Sequence, residues 1–308
     1  MIYTVTLNPS LDIIYTSDKF EEAGYTISKS TQRYAGGKGV NISRMLHNLG
    51  IPSYATGFIG GYPGSFIKHW FEENKEDHFF IEVEDSSRIN TRLRTDDKQF
   101  TLVGVNPSIP NEKLEALLFF LSRIQEGDVV VMGGSIPNNI DDDIYTRIAE
   151  ICNANKAEFV IDVPAERLLD LAKYKPLLIK PNIEDLAKMF GLEKINTESD
   201  IIKYGKKCIE AGAKNVIVSV GAEGSYLFTD KGEAYRSYGV EGKEINSFNS
   251  RPAMIAGFLS IYMRKQDIIE SYKMAAAAGS ATAFVEDLAD IELTKEVHKK
   301  TVVEEIEL

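Results

Sequence analysis

Cysteine is scarce in this sequence, and its histidines do not cluster. Only Cys152 and Cys208 occur, far apart and without a CxxC spacing. Isolated thiols of this kind are typical of a reducing compartment and argue against a disulfide framework. The 4 histidines are scattered and form no HExxH pattern, so we expect no structural zinc site.

Basic charge and long apolar runs are also lacking. The net charge is −11, whereas a protein that binds a nucleic acid or an anionic membrane needs a basic surface. We therefore expect neither of those partners. No apolar run approaches the roughly 18 residues of a transmembrane helix, and residues 1–7 lack the basic start and apolar core of a signal peptide. The sequence thus predicts a cytoplasmic protein.

What the sequence does contain is a regular alternation of strand and helix patterns. Its 308 residues, 44% of them hydrophobic, are enough to bury a sizeable core. We predict strands at 1–7, 54–59, 79–83, 129–132, 159–163, 177–179 and 216–220, a hairpin at 226–238, and helices at 40–49, 112–123, 142–153, 183–190, 200–211, 252–263, 267–284 and 294–305. This order favours an α/β fold, with a parallel sheet flanked by helices, in a single domain over 1–308.

Two β-rich inserts, at about 12–34 and 88–105, interrupt this alternation. Each is too short to fold alone, so pairing them into one small sheet that projects as a lid is the economical solution. A lid that excludes water suits phosphoryl transfer, because water would compete as the acceptor. The other interpretation is that both inserts are edge strands of the main sheet.

A glycine-rich loop, Gly36-Gly37-Lys38-Gly39, joins a strand-like segment to a predicted helix. Its glycines allow close approach to a ligand, the helix N-terminus offers free N–H groups, and Lys38 and Asn41 add a charge and an amide. The GxxxxGK[ST] spacing of a Walker A loop is absent. The loop is therefore either a phosphate cradle or a tight turn. A second glycine-rich stretch, Gly57–Gly61, fails the GxGxxG spacing and is predicted to be a close packing turn.

Three further loops follow predicted strands: residues 133–137, 180–182 and 219–224. In an open parallel sheet, ligands bind at the carboxyl ends of the strands. Because all three loops are predicted at that edge, they favour one binding site there.

These segments together resemble the ribokinase superfamily and, within it, the phosphofructokinase-B branch of 1-phosphofructokinases and tagatose-6-phosphate kinases. The similarity runs nearly end to end. It is carried by residues 6–12, 35–41, 57–61, 88–91, 134–137, 180–182, 219–224 and 279–284. The resemblance implies a ribokinase-like fold and ATP-dependent phosphoryl transfer to a ketohexose monophosphate, giving a bisphosphate.

The resemblance also implies roles for individual residues on the sugar side. The residues that would hold the sugar are Asp12, Asn41, Asn90 and the backbone of Gly36 and Gly37. The residues that would bind its existing phosphate are Lys38, Arg88 and Ser135. Without the resemblance, Arg88 would be interpreted as a solvated strand residue. Lys38 and Arg88 would suit a phosphate on C1 or on C6, so both substrates stay open.

On the nucleotide side, the resemblance implies that Lys180 and Asn182 face the phosphates of ATP and Mg²⁺. Asp185, where a glutamate is usual, would belong to the metal shell. The residues that would line the nucleotide are Ser219, Gly221, Glu223, Gly224, Gly279 and Ser280. A homodimer that forms through the lid is implied as well.

The sequence departs from this family at its most diagnostic motif, Gly-Ala/Ser-Gly-Asp before a helix that contains Ala-Gly-Phe. Ala256-Gly257-Phe258 is present, but the four motif positions hold Asn249, Ser250, Arg251 and Pro252. Proline cannot act as the general base, whose loss costs roughly 10²–10⁴ in rate. Proline also lacks an N–H, and the loss of one anion-hole donor costs roughly 10²–10³.

The same segment is favourable for folding and for binding an anion. We predict Ser250 as the N-cap and Pro252 in the first turn of the helix at 252–263. Arg251 places a cation where the anion hole would lie. The stretch Phe100-Thr101-Leu102 lacks the glutamate that is usual in the family, which weakens the implied metal shell.

Two functions follow from these residues. The first is an active ATP-dependent sugar-phosphate kinase in which another group replaces the base; Asp12 is a weak candidate, since by family analogy it lies on the wrong side of the sugar. The second is a pseudokinase that binds or senses a sugar phosphate, a nucleotide or both, and the chemistry of residues 249–252 favours it. A third interpretation is that residues 248–252 differ from the natural sequence of the protein.

Overall fold

The computed structural model describes residues 1–21, 23–95 and 98–308. Within them, strands and helices alternate along most of the chain. The strands are β1 (Ile2–Thr6), β2 (Ser10–Thr16), β3 (Ser30–Gly36), β4 (Tyr54–Ile59), β5 (Asp77–Glu82), β6 (Arg88–Arg94), β7 (Gln99–Leu102), β8 (Val129–Gly133), β9 (Glu158–Asp162), β10 (Leu178–Ile179), β11 (Asn215–Ser219), β12 (Gly224–Thr229), β13 (Ala234–Tyr238) and β14 (Val303–Glu305). The helices are α1 (Lys38–Asn48), α2 (Gly61–Glu73), α3 (Asn111–Leu121), α4 (Ile144–Ala154), α5 (Ala165–Ala172), α6 (Ile183–Met189), α7 (Glu198–Glu210), α8 (Ser250–Lys265), α9 (Ile268–Ala283) and α10 (Ile291–Lys300).

The main sheet has the order β14-β13-β12-β11-β10-β9-β8-β1-β4-β5. From β11 to β5 every neighbouring pair is parallel, whereas β12, β13 and β14 extend the sheet as antiparallel strands. The predicted α/β fold with a mostly parallel sheet is confirmed. Because the parallel strands share one direction, the loops that follow them meet at a single edge.

Two apolar layers cover the faces of this sheet. On one face, residues of α3 to α7 pack against β8 and β9. On the other face, α1, α8, α9 and α10 pack together, and the buried alanines of α9 allow it to approach α8 closely. Gly257 of α8 shows how tight this contact is, since a Cβ there would lie 2.6 Å from the carbonyl oxygen of Met274.

The two β-rich inserts pair with each other, as predicted, and not with the main sheet. They form a small sheet of order β3-β2-β6-β7, called the lid below. Strand β2 pairs antiparallel with β3 and parallel with β6. Residues 22, 96 and 97 of the predicted inserts lie outside the described residues.

One sequence prediction is wrong in part: the helix expected at 294–305 ends early. Helix α10 ends at Lys300, and residues 303–305 form β14, which pairs antiparallel with β13. The chain leaves the helix at Thr301, which has a φ of −72° and a ψ of 122°. The β-branched run Thr301-Val302-Val303 fits a strand better than a helix, and the exposed edge of β13 offers it hydrogen-bond partners.

The prediction also omitted two helices, α2 and α5. The first turn of α2 contains Gly61, Pro63 and Gly64, which resembles a turn in sequence. These residues are tolerated because the first turn needs no intrahelical N–H donors. The apolar spacing of Ile67 and Phe71 then buries one face of α2. Helix α5 is short, and it buries Leu168 and Leu171 in the same way.

Among the described residues, no helix is both long and apolar enough to span a membrane.

The junction of β1 and β4 predicts a severe packing defect on substitution of Gly57. Gly57 has a φ of +147°, and a Cβ there would lie 1.9 Å from the carbonyl oxygen of Thr6 in the paired strand. We expect Gly57→Ala to lower the free energy of unfolding by about 3 kcal/mol or more, measured by urea denaturation.

Gly127→Ala is the matched control, because Gly127 also has a positive φ, +89°, but has no atom within 4 Å of the added Cβ. It should cost only about 1–2 kcal/mol, the price of the left-handed backbone alone. Equal losses in the two variants would contradict the packing argument.

Candidate active site

The carboxyl ends of five parallel strands bring the predicted site residues to one edge of the main sheet. Strands β1, β8, β9, β10 and β11 end there. At these strand ends, or within two residues of them, lie Asn8, Gly134, Asp162, Lys180 and Ser219. The N-termini of α1 and α8 are neighbours, since the side-chain amide of Asn41 donates to the side-chain oxygen of Asn249 at 3.1 Å. The strand topology therefore confirms the prediction that these loops lie at one edge of the sheet.

Asp12 lies on the inner face of the lid within a ring of donors. Its Oδ1 accepts hydrogen bonds from the hydroxyl of Ser10 at 2.7 Å and from the amide of Asn90 at 2.8 Å. Its Oδ2 lies 3.7 Å from the guanidinium of Arg92. Asp12 is buried, and the carboxylate fills the space where Gly36 would carry a Cβ, 2.7 Å away. Two of the predicted sugar residues, Asp12 and Asn90, thus lie side by side.

The glycine-rich loop forms the N-terminus of α1 directly over the end of β1. Gly37 is the N-cap, with a φ of +108° that favours glycine. A Cβ on Gly39 would lie 2.4 Å from the hydroxyl of Thr6, so the loop can approach the strand only without side chains. Lys38 extends from this loop, and its ammonium donates to Asp162, to Oδ1 at 2.8 Å and to the backbone oxygen at 3.0 Å.

Lys180 and Asp162 form a charged pair of neighbours in the interior below this loop. Burial lowers the pKa of Lys180 to about 7, an effect that Asp162 opposes and that Arg251 and Lys38 reinforce. The Nζ of Lys180 has no hydrogen-bond partner among the described residues. Burial would raise the pKa of Asp162, but the charges of Lys38 and Lys180 bring it below its usual value. Asp162 is therefore ionised at neutral pH, next to a lysine that gains or loses its proton there.

The other predicted phosphate ligands, Arg88 and Ser135, are positioned by different elements. Arg88 begins β6 and pairs in register with Ser10 of the lid. It is half-buried, and burial lowers its pKa although the charge of Asp12 opposes this. Ser135 follows β8 and accepts a hydrogen bond from the amide of Asn8 at 3.2 Å. Arg88 thus lies on the lid beside Asp12, whereas Ser135 lies at the edge of the main sheet.

The N-terminus of α8 is fixed by a chain of side-chain contacts. Asn249 accepts from Asn41 and donates to Oδ1 of Asp287 at 3.3 Å, and Asp287 in turn pairs with Arg44. The predicted N-cap, Ser250, is corrected to Asn249, because the first intrahelical bond runs from the N–H of Ala253 to the carbonyl of Asn249 at 3.1 Å. The side chain of Asn249 is engaged by its neighbours and caps no N–H.

Pro252 occupies the third position of α8 and is buried. The first N–H that donates a hydrogen bond within the helix belongs to Ala253, so proline removes no intrahelical hydrogen bond. The side chains at 249–252 comprise two neutral polar groups, a guanidinium and a pyrrolidine ring. The helix terminus therefore offers no carboxylate and one fewer N–H donor.

A cavity of about 650 Å³ lies between this helix terminus and the end of β11. Its wall includes most of the predicted nucleotide residues, namely Asn182, Ser219, Gly221, Gly224, Gly279 and Ser280. Gln99 of the lid and Arg251 of α8 line it as well. Two predicted residues do not contribute to its wall: the exposed Glu223 and the buried Lys180.

Asp185 is held at the N-terminus of α6. Its Oδ2 accepts from the backbone N–H of Asn182 at 3.3 Å and also pairs with the guanidinium of Arg251. Among residues 1–21, 23–95 and 98–308, no three acidic, histidine or cysteine side chains come together at metal-binding distance. Because a guanidinium repels a second cation at the same oxygen, this donor set does not fit a Mg²⁺ ion held by Asp185.

Sequence reasoning missed three residues of this site: Asp162, Arg92 and Phe248. Asp162 ends a parallel strand, so the rule that located the other loops would also have found it. Arg92 lies two positions after Asn90 in β6 and therefore on the same face. Its guanidinium lies 3.8 Å from the centre of the Phe248 ring, which lines the cavity and connects it to the lid. No local pattern marks Phe248.

The lowered pKa of Lys180 predicts a pH-dependent stability difference. Above about pH 7 the folded chain releases a proton from Lys180 that the unfolded chain keeps until its ordinary pKa of 10.5, so this group makes the free energy of unfolding rise with pH. Lys180→Met removes the effect. Its stability relative to the wild type should be greater at about pH 7 than at about pH 9.5, by roughly 2–3 kcal/mol in urea denaturation.

Lys188→Met is the control, because Lys188 lies at an exposed position of the neighbouring helix α6. A contrary result is a stability difference between Lys180→Met and the wild type that stays constant between the two pH values. It would show that Lys180 keeps its charge in the folded chain.

The chain is similar over almost its whole length to known sugar-phosphate kinases. It is 39% identical over 297 residues to a 1-phosphofructokinase of Bacillus subtilis, with 96% of this chain and 97% of that protein covered. It is 34% identical to a D-tagatose-1-phosphate kinase of Bacillus licheniformis, with 94% and 95% covered. The resemblance inferred from the motifs is thus confirmed.

The fold is similar to that of an Arabidopsis thaliana ribokinase solved with ribose and ATP. The TM-score is 0.76 at 19% identity, with 97% of this chain and 98% of that chain covered. This likeness confirms the ribokinase-like fold. Residues 6–293 match the family described as pfkB family carbohydrate kinase. The chain belongs to the pfkB family of carbohydrate kinases.

Proposed function

We propose that this edge of the sheet binds a ketohexose monophosphate and ATP, and that phosphoryl transfer between them is strongly impaired. The observation that carries the proposal is the N-terminus of α8, where Pro252 stands at the family's base position. Without a positioned base, transfer to the sugar hydroxyl is expected to be slower by roughly 10²–10⁴. The protein is then a pseudokinase of the pfkB family, which binds its ligands and so can sense them.

The sugar side supports this proposal through preorganised polar groups. Asp12, Asn90 and Asn41 are buried donors and acceptors at fixed positions, suited to sugar hydroxyls. The side chain of Lys38 is 32% exposed and lies beside Ser135's strand end, so its ammonium can exchange Asp162 for a phosphate oxygen. Arg88 would add a second cation from the lid.

The nucleotide side supports it through the cavity beside α8. Its small wall residues, among them Gly221, Gly224 and Gly279, leave room for a flat base. Glycine at 279 is needed in any case, because a Cβ there would lie 2.5 Å from the side chain of Met254. ATP is the nucleotide that the family uses. The two buried free thiols also fit the cytoplasmic location that we propose.

A second function, an active kinase with a different base, has one observation in its favour. Asp162 is buried and ionised, and its Oδ2 has no hydrogen-bond partner among the described residues. In such a kinase, Asp162 would accept the proton of the sugar hydroxyl, and Lys38 would hold it in place. The rate measured for the wild type separates the two functions.

The kinase chemistry is tested by restoring the family motif at 249–252. We expect the triple variant Asn249→Gly, Arg251→Gly and Pro252→Asp to raise kcat by about 10²–10⁴ over the wild type, because it regains a base, the N–H donor that proline lacks and the two flexible glycines of the motif. The measurement is coupled ADP release with fructose 1-phosphate, fructose 6-phosphate, tagatose 1-phosphate and tagatose 6-phosphate. Pro252→Ala is the control: it restores the backbone N–H but supplies no carboxylate, so its kcat should stay well below that of the triple variant.

A wild-type rate within tenfold of the restored variant would overturn the impaired-kinase proposal and favour the second function. Calorimetry with each sugar phosphate tests binding separately from turnover. It also decides between a C1 and a C6 phosphate.

We also propose that the chain forms a homodimer through the outer face of the lid. The register of β2, β6 and β7 places one apolar face opposite Asp12, made of Ile13, Tyr15, Ile89, Leu93, Phe100 and Leu102. Leu102 is 71% exposed and Phe100 is 41% exposed, which is unusual for neighbours on one sheet. An apolar sheet face of this kind is typical of an interaction surface, and a second copy presents the same face.

The dimer is tested by placing a charge on that face. Leu102→Lys is expected to convert the dimer to a monomer in sedimentation equilibrium, because it buries an unpaired charge in the interface. Phe119→Lys is the matched control, since Phe119 is 63% exposed on α3, away from the lid. A wild type that sediments as a monomer would contradict the proposal.

A further inference from the structure

Arg251 occupies the place between the nucleotide cavity and the carboxylate of Asp185. Its guanidinium pairs with Oδ2 of Asp185, with the two side chains 30% and 23% exposed. Arg251 also lines the cavity together with Asn182 and Ser250. An arginine has five N–H donors, so one ion pair leaves others for a second anion. Its Nε has no partner among the described residues.

Three cations lie close together at this place, since Lys38, Lys180 and Arg251 interact electrostatically with one another and with Asp162. Asp185 pairs with Arg251, and two further carboxylates, Glu184 and Glu244, line the cavity wall. Burial lowers the pKa of Lys180, the charges of Arg251 and Lys38 reinforce this effect, and a polyphosphate bound nearby would offset the repulsion between the three cations.

A divalent cation at the same place meets two obstacles. The oxygen of Asp185 that it would use already accepts a backbone N–H and a guanidinium. The approach of Mg²⁺ would also bring it close to Arg251 and Lys180, and cations at short range repel each other strongly in a partly buried site. Arginine, by contrast, binds a carboxylate and a phosphate without any change of coordination.

We propose that Arg251 takes over the charge-neutralising role of a divalent metal, so that the chain binds a nucleoside triphosphate equally well with and without Mg²⁺. The inference rests on the nucleotide half of the proposed function and concerns equilibrium binding alone. On this proposal, Arg251 alone decides whether the binding of ATP requires Mg²⁺. Removing that residue frees Asp185 and should create a metal requirement.

The experiment is titration calorimetry with ATP, in excess Mg²⁺ and in EDTA, on the full chain. The wild type should give affinities that agree within about threefold. Arg251→Ala should bind ATP about tenfold or more weakly in EDTA, the value of one charge-assisted hydrogen bond. Excess Mg²⁺ should restore most of this loss, because Asp185 is then free for the metal.

Two further variants identify the residues responsible. Adding Asp185→Asn to Arg251→Ala should abolish the restoration by Mg²⁺, while Arg251→Lys keeps the charge and should keep metal-independent binding. Arg147→Ala is the matched control, because Arg147 pairs with Glu115 at 2.8 Å on the outer helices and is 36% exposed. Its affinity should match the wild type in both buffers.

The outcomes that overturn the inference differ from those that overturn the proposed function. Wild-type affinity that rises tenfold or more with Mg²⁺ overturns the inference and leaves the impaired-kinase proposal untouched. Absence of ATP binding in both buffers overturns it as well, and calorimetry with the sugar phosphates then shows whether the sugar half of the site stands. If Arg251→Ala does not fold, Arg251→Gln, which keeps a polar side chain but no charge, takes its place and should show the same dependence on Mg²⁺.

Discussion

One buried carboxylate, Asp162, is the charge on which the site depends. Lys38 comes from the glycine-rich loop and Lys180 from the strand next to β9, and both are kept at this depth by the same negative charge. A buried ammonium without such a partner would be neutral or would move to solvent. Asp162 therefore connects the glycine-rich loop to the segment that follows β10. The end of β9 thus holds together Lys38 and Lys180, which are far apart in the sequence.

A second set of polar contacts connects this point to the helices on the other face. Asn41 of α1, Asn249 of α8, Asp287 and Arg44 form a continuous chain of side-chain hydrogen bonds. Buried polar chains of this kind hold their members at defined positions, since each unsatisfied group would cost free energy. These contacts hold the N-terminus of α8 in place. The contact of the Arg92 guanidinium with the Phe248 ring connects the lid to the segment that precedes α8.

The extent to which the sequence predicts this structure depends on how local each signal is. Strand β4 and helix α1 follow from apolar periodicity, and the lid follows from two β-rich inserts that have no other partner. The missed helix α2 begins with glycines and a proline that are harmless only in a first turn. The pair of Asp185 with Arg251 could not be predicted, because the two residues are separated by 66 positions and no local pattern relates one to the other. The ring of donors around Asp12 needed the register between β2 and β6, which sequence does not specify.

The proline in the first turn of α8 has an evolutionary consequence. Proline limits the conformations of the unfolded chain, and at this position it costs the folded helix no hydrogen bond, so it favours the native state. A flexible glycine loop with a buried acid would do the opposite. Stability and activity are thus opposed at these four residues. Where selection acts on stability alone, proline at this position is therefore favoured over a flexible, acidic segment.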